Sequence, residues 1–309
     1  MPTASIIITT HNRPHVLPRA IESARESGKD VEIVVVDDAS SDQTADICKT
    51  ISNINYVRVE RNQGVAGARN IGLVASSGEY VSFLDDDDTR LPGSLDQQLS
   101  ILKSEPQAGL IYGQAFYGDQ EGNPTDRFYP ADCPHGDLFW QLLSRNFIPC
   151  GTAVFRRSCL SRVGLLDDSI AGLDDWDLWV RIGEVYSIIA LESPVIIWRR
   201  STPASGQGTS NAAQIVSLSV RQFRRWMNLP RAQSASRHTK RTLWHAFSEN
   251  MAEHLIWESA RALRSAQVGQ AVKSLATLPR LHPLTIIDIA RHRAFAKSTR
   301  KALGIVRVA

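Results

Sequence analysis

Four short runs of β-branched and apolar side chains recur within the first 85 residues: Ala4–Thr9 (ASIIIT), Val31–Val36 (VEIVVV), Ile54–Val59 and Tyr80–Leu84 (YVSFL). Runs of this length, bounded by turn residues, read as strands. The stretches between them carry helical spacing: one ends near Ser27, one holds Ala45, Ile47, Cys48 and Ile51, and one spans Val65–Ala75. Ser41 or Asp42 can cap the second of these helices. Pro92 opens a further helix, and Ala108–Tyr112 makes a fifth strand. Strand alternating with helix leaves few foldings open. The expected class is α/β, with a mainly parallel sheet, helices on both faces and right-handed crossovers.

In such sheets ligands bind beyond the carboxyl ends of the strands. Thr9–Asn12, Asp37-Asp38 and Asp85–Asp88 all lie at such ends, so three polar clusters are expected on one rim. The last cluster is four consecutive carboxylates following a buried-looking strand. Packed in a poorly solvated cleft they repel one another and raise each other's pKa unless a cation neutralises them. Hard Mg²⁺ or Mn²⁺ accepts one or two protein carboxylates and fills its other positions with water and phosphate oxygens. The turn therefore predicts a station for a metal and a diphosphate.

The stretch FLDDDDT also fits the haloacid-dehalogenase-like phosphatase pattern, in which Asp85 would be a covalent nucleophile. That family carries its motif near the start of the core, whereas three strand-like segments precede it here. VVVDDASSD is likewise similar to the acidic pair of a response-regulator receiver, which leaves the rest of the chain unexplained.

The combination of motifs has a better match. SIIITTHNRPHVLPRAIES, EIVVVDDASSDQT, RNQGVAGARNIGLVASSGEYVSFLDDDD and GLDDWDLWVRIG, in that order, resemble the family 2 glycosyltransferases of the GT-A fold over about residues 4–205. The resemblance implies a Rossmann-like GT-A domain over 1–210 that binds a nucleotide sugar and performs catalysis. It also implies a metal-dependent, inverting transfer of a sugar from a nucleoside-diphosphate sugar to an acceptor hydroxyl, in surface polysaccharide or glycoconjugate synthesis. The alternatives are the phosphatase and a non-catalytic scaffold that binds sugar nucleotides.

Roles follow by position. Thr9, His11 and Asn12 are expected to line the base pocket, with Asp38 accepting a hydrogen bond from the base. Arg69, one turn inside a helix entered through glycines, is expected to approach ribose or phosphate. The family's Asp-x-Asp maps onto Asp85, Asp86 and Asp87: Asp87 is the expected direct ligand of Mn²⁺ or Mg²⁺, Asp85 serves ribose or the metal, and Asp86 serves either. The base that strips the acceptor hydroxyl lies in Gly172-Leu173-Asp174-Asp175-Trp176, where Asp175 takes the base position and Asp174 stands where relatives have Glu, as a rival. Many relatives place a His in a later segment to clamp the diphosphate. WRRSTPASGQGTSN has none, which shifts that role to Arg199 or Arg200, and Ser201–Ser210 has the composition of a lid.

From about residue 212 the pattern is helical, with Leu243, Phe247, Met251 and Leu255 at i+4 spacing, and 211–309 is expected to be a helical region serving acceptor or membrane docking. Charge divides with the chain: residues 1–200 hold 18 Lys and Arg against 28 Asp and Glu, and 201–309 hold 17 against 4. The basic region, with Arg291, Arg293, Lys297, Arg300 and Lys301 near Phe295, suits peripheral contact with an anionic membrane surface, where a saccharide or lipid-linked acceptor can be met. No recognition helix or aromatic RNA motif accompanies the charge, so nucleic acid is not an expected partner. The start lacks the features of a secretory signal and no window is long and apolar enough to span a bilayer, so a cytoplasmic location, with contact to the inner face of the membrane, is the expectation. Cys48, Cys133, Cys150 and Cys159 show neither metal-finger spacing nor a disulfide framework.

Overall fold

The computed structural model describes residues 2–199, 212–264 and 267–281. They fall into two compact units, the first holding residues up to 142 and from 146 to 199, the second holding 143–145 and the helices from 212 onward.

The first unit is built on a nine-stranded sheet. The chain lays down β1 (Ala4–Thr10), α1 (Leu17–Glu26), β2 (Val31–Asp37), α2 (Thr44–Thr50), β3 (Asn55–Arg58), α3 (Gly64–Ala75) and β4 (Tyr80–Asp85) in the expected alternation. β1 pairs in parallel with both β2 and β4, and β2 pairs in parallel with β3. β1 is therefore central, and its three isoleucines, Ile6, Ile7 and Ile8, are fully buried. Helix α1 buries Leu17, Ala20, Ile21 and Ala24, the i, i+3, i+4, i+7 stripe that packs a helix on a sheet.

Helix α3 approaches the sheet through Gly72, where a Cβ would lie 2.3 Å from Ile7 Cγ2 and 3.3 Å from Val36 Cγ2. Only glycine permits that approach, and Arg69 lies three residues earlier on the same face.

Beyond β4 the pairing changes. After β5 (Thr89–Arg90), α4 (Ser94–Ser104) and β6 (Ala108–Gly118) come β7 (Pro124–Tyr129), α5 (Phe139–Leu142), β8 (Val154–Arg156), α6 (Leu160–Val163), α7 (Asp174–Val185) and β9 (Ser187–Trp198). β8 is antiparallel to β4 and to β6, β7 is antiparallel to β6, β5 is antiparallel to β9, and β9 is parallel to β6. The sheet is thus parallel where strand and helix alternate strictly and mixed after residue 113, where short strands and loops replace crossover helices. The spatial order is β3-β2-β1-β4-β8-β6-β9-β5.

The second unit is helical: α8 (Ala212–Trp226), α9 (Pro230–Ser234), α10 (Arg237–Arg264) and α11 (Val268–Leu281). Leu243, Phe247, Met251 and Leu255 are buried as their spacing predicts, and Phe223 of α8 stacks near Phe247 with ring centroids 4.5 Å apart. No helix among the described residues is long and apolar enough to cross a membrane. The basic residues 291–301 and the lid candidate 201–210 lie outside the described residues. All four cysteines are free thiols.

Candidate active site

The carboxyl ends of β1, β2 and β4 are held side by side by their register, Thr9 standing opposite Val36 on one side and Asp85 on the other, and Thr10 opposite Asp37. Three loops meet there. The first carries His11 and Asn12, the second Asp38–Ser41, the third Asn62 and Gln63. Asn12 adopts a left-handed φ of 55°. Its N–H donates to Ser40 Oγ at 2.9 Å and its Oδ1 accepts from the Ser41 N–H at 2.8 Å. His11 Nδ1 sits 2.7 Å from the Asp38 carbonyl oxygen. Asp38, buried, accepts the Gln63 N–H on Oδ1 at 2.7 Å. Thr9, His11, Asn12 and Asp38 therefore lie together at the carboxyl ends of β1 and β2.

Asp37 has a different task. It is fully buried, with Oδ1 accepting the Ser40 N–H and Oδ2 accepting the Tyr56 hydroxyl, each at 2.8 Å. It ties β2 to β3 and fixes the turn that presents Asp38. Burial and the Asp37 carboxylate push the Tyr56 phenol far above its ordinary range.

The carboxylate turn closes β4. Asp86 and Asp88 are buried, while Asp85 and Asp87 are partly exposed. Each has a positive or polar partner. Asp85 Oδ1 accepts from Arg69 Nη2 at 2.8 Å, Asp86 Oδ1 accepts from Arg13 Nη1 at 2.6 Å, and the same Arg13 nitrogen is 3.4 Å from Asp87 Oδ2. Asp88 Oδ1 accepts the backbone N–H of Arg199 at 2.8 Å. These partners do not cancel the crowding. Burial pushes Asp86 up to about 6 against the pull of Arg13. Burial and then Asp85 raise Asp87. Burial, Asp85 and Asp87 hold Asp88 well above the usual carboxylate range.

Arg69 is held by carboxylates from two elements. Its guanidinium, 6% exposed, lies between Asp85 and Asp174, with Nη1 2.7 Å from Asp174 Oδ2. Two carboxylates engage its Nη1 and Nη2, so it is a strut between the end of β4 and the start of α7. Arg199 likewise turns its Nε to the Gln120 carbonyl at 2.7 Å, and Arg200 lies outside the described residues.

Asp174 and Asp175 open α7, whose first turn also holds Asp177, so three carboxylates meet the positive end of the helix dipole. The N-cap position is Leu173, which makes no side-chain cap hydrogen bond. Asp174 is buried against Arg69, whereas Asp175 is partly exposed and accepts the Trp176 N–H at 2.6 Å. Trp176 is buried beside it in the chain, its indole N–H donating to the Leu142 carbonyl at 2.7 Å. Burial and then the neighbouring Asp174 push Asp175 up to about 7, against the opposing pull of Arg69. That value suits a group that must take a proton near neutral pH.

The site also contains residues that sequence reasoning did not single out. Arg13 follows β1 within the stretch HNRP, where Asn12 and Pro14 mark a turn and nothing more. Cys150 lies beside Arg69, and burial holds its thiol well above its ordinary range. Arg90, fully buried, donates to Ser82 Oγ at 2.9 Å, to the Gly151 carbonyl at 3.1 Å and to Gln98 Oε1. It pins the strand and loop on either side of the carboxylate turn.

Among the described residues no three His, Cys, Asp or Glu side chains form a ready-made metal cage. The donor set nevertheless fits a hard divalent ion. Asp85 and Asp87 are partly exposed neighbours, Asp87 is held above its ordinary range by burial and by Asp85, and such an ion asks for one or two carboxylates with the remainder from water and phosphate.

Comparison with known proteins agrees with this architecture. The family model described as "Glycosyl transferase family 2" matches residues 5–164, more than half of the chain. A protein of Rickettsia prowazekii (strain Madrid E) described as an uncharacterized glycosyltransferase is 29% identical over 194 residues, covering 60% of each chain. An Escherichia coli protein named UDP-Glc:alpha-D-GlcNAc-diphosphoundecaprenol beta-1,3-glucosyltransferase is 30% identical over 188 residues, covering 59% of this chain and 70% of its own. The chain spans about three fifths of the length of the first curated relatives it matches. Among solved structures, S. aureus TarS 1-349 in complex with UDP-GlcNAc superposes with a TM-score of 0.63 at 16% identity, covering 97% of this chain and 90% of that one. Mannosyltransferase PcManGT from Pyrobaculum calidifontis, in complex with GDP-Man and Mn²⁺, gives 0.56 at 18% identity, covering 98% and 86%. These likenesses show the GT-A fold, and with the matched model the chain belongs to glycosyl transferase family 2.

Proposed function

We propose that this protein is a metal-dependent, inverting glycosyltransferase that moves a sugar from a nucleoside-diphosphate sugar to an acceptor hydroxyl. The observation that carries the reading is the Arg69 strut, which fixes the carboxylate at the end of β4 and the carboxylate pair at the start of α7 within one site. Donor and acceptor chemistry must meet in such a place. Family membership weighs against the phosphatase and the intact acidic positions weigh against the scaffold.

Asp38, with His11 and Asn12 ordering its loop, takes the nucleotide base. Its buried carboxylate accepts a base N–H, and a base lacking that donor leaves the acceptor unpaired, at a cost of about 1–3 kcal/mol. Asp87 and Asp85 would hold Mn²⁺ or Mg²⁺, which supplies positive charge to the diphosphate and eases its departure. Asp175 receives the proton of the acceptor hydroxyl as the oxygen forms its bond to the anomeric carbon and the bond to the diphosphate breaks. Asp174 is the weaker candidate for this step, because its Oδ2 already serves Arg69 and the residue is buried. Attack from the side opposite the diphosphate inverts the anomeric configuration. By analogy with the named Escherichia coli relative, a lipid-linked saccharide is the acceptor class, met at the inner face of the membrane, with the helices after residue 211 serving acceptor or membrane docking.

The test is thermal stability with UDP, dTDP, GDP and CMP, each with Mn²⁺, Mg²⁺ or chelator, on wild type and Asp87→Asn. A ligand confined to the folded state stabilises it by about 2.7 kcal/mol at 100 times its dissociation constant. Metal-dependent stabilisation by one nucleoside diphosphate, lost in Asp87→Asn, supports the reading and identifies the donor base. No response in any combination overturns it.

A further inference from the structure

Arg13 differs from the other cations around the carboxylate turn. Arg69 is locked between Asp85 and Asp174 and is 6% exposed, whereas the Arg13 side chain is 20% exposed and offers one nitrogen, Nη1, to two carboxylates at once. Its main chain is well placed for such a role. The preceding Asn12, at φ 55°, is anchored to Ser40 and Ser41, so the loop that carries Arg13 is held while its long side chain reaches the turn. The Asp86 contact is short, 2.6 Å, and the Asp87 contact is loose, 3.4 Å. Asp87 is the carboxylate proposed for the metal.

We propose that Arg13 is a resident counter-ion, which shields Asp86 and Asp87 while the donor is absent and turns to the donor's diphosphate when the nucleotide binds. The inference rests on the donor-site reading above and adds a regulation to it. A guanidinium and a divalent cation cannot both own the Asp87 carboxylate without repelling each other, so Arg13 suppresses binding of the bare metal ion. A diphosphate removes the conflict, since it brings negative oxygens that a planar guanidinium can engage through two N–H groups. Metal and nucleotide then strengthen each other's binding by the same factor, as linkage requires. Bare metal would bind weakly and the loaded pair tightly, which keeps an empty site from being held by a metal ion alone.

The experiment is Mn²⁺ binding, followed by electron paramagnetic resonance or titration calorimetry, alone and with saturating UDP, dTDP or GDP, for wild type, Arg13→Gln and Arg13→Lys. Arg13→Gln should bind Mn²⁺ alone at least about fivefold tighter than wild type and lose at least about fivefold of the tightening that the diphosphate confers, the low end of ordinary coupling. Arg13→Lys, which keeps the charge, should bind Mn²⁺ alone within about twofold of wild type, because the repulsion is retained. Mn²⁺ affinity in Arg13→Gln equal to or weaker than wild type overturns the proposal. Asp87→Asn separates the two readings: if wild type binds Mn²⁺ with nucleotide and Asp87→Asn does not, the donor site stands and only the role of Arg13 is at stake. Wild type that binds neither sinks both. Should Arg13→Gln not fold, Arg13→Met carries the same expectation.

Discussion

Arg69 and Asp174 are 105 positions apart in the chain and 2.7 Å apart in the fold. The same guanidinium reaches Asp85 at 2.8 Å, so a single buried cation joins the last residue of β4 to the first residue of α7. It also lies 5.4 Å from the centre of the Phe83 ring, which supports its plane from the strand side. The consequence is mechanical and electrostatic together. The two halves of the proposed chemistry cannot drift apart without leaving carboxylates unpaired in a dry site.

Removing the strut should therefore cost both stability and activity. Arg69→Met leaves Asp174 buried without its cation, a loss of about 3–5 kcal/mol in urea unfolding. Arg69→Met combined with Asp174→Asn should recover part of that loss, because the stranded charge disappears with its partner. A double mutant no more stable than Arg69→Met alone would show that the two residues do not act as a pair.

Asp175 predicts the pH profile of transfer. Its pKa is pushed up to about 7, first by burial and then by Asp174. A base works when unprotonated, so kcat/KM should fall as pH drops through about 7, approaching tenfold per unit below it. Asp175→Asn should lower the rate by about 10²–10⁴ while leaving nucleotide binding near wild type. Asp174→Asn should retain more activity and shift the acidic limb downward, since the neighbour that raises Asp175 is gone. An acidic limb that stays in place in Asp174→Asn refutes the assignment.

The carboxylate turn makes a prediction about stability in chelator. Asp86 is raised to about 6, Asp175 to about 7, and Asp87 and Asp88 are raised as well, in each case first by burial. A carboxyl group with a raised folded-state pKa binds more protons folded than unfolded between its ordinary value and the raised one. Stability must then fall as pH rises across that window, roughly from 4 to 7. Denaturant unfolding in chelator at pH 5 and pH 7.5 measures the slope, which should flatten in Asp86→Asn. Greater stability at pH 7.5 than at pH 5 in chelator is the contrary result. Mn²⁺ with nucleotide should oppose the loss, because it stabilises the ionised form.

The sequence displayed the first unit well as far as β4, since β-branched runs and helical spacing are local properties. It also displayed the rim, because turn residues after strands must lie where parallel strands end. What it hid was pairing across the chain. Arg69 reads as a guanidinium one turn inside a helix, and nothing within ten residues announces that it will meet Asp174. Arg13 reads as part of a turn signal, and its partners Asp86 and Asp87 lie more than seventy positions away. The antiparallel pairings of β8 with β4 and β6 were equally hidden, because a three-residue strand between loops carries no periodicity long enough to declare a partner. Distance along the chain, rather than weak chemistry, separates what was legible from what was not.

Arg90 extends the same lesson to the scaffold and gives the last prediction. It lies two residues after the carboxylate turn, fully buried, and burial lowers its pKa to about 10. Its guanidinium donates to Ser82 on β4, Gln98 on α4 and the Gly151 carbonyl, and its backbone N–H donates to Ser23 Oγ on α1 at 3.1 Å. Four separate parts of the chain are thus tied at the base of the turn. Hydrogen bonds from a charged donor contribute about 1.5–3 kcal/mol each when the acceptors are otherwise unsatisfied. Lysine has the charge but not the planar fork, so Arg90→Lys should lose at least one of these contacts and destabilise the protein by about 2 kcal/mol or more in urea unfolding. Nucleotide and Mn²⁺ affinity should weaken with it, since the turn that bears Asp85 and Asp87 loses its anchor. Wild-type stability and wild-type Mn²⁺ affinity in Arg90→Lys would show that the turn is held from elsewhere.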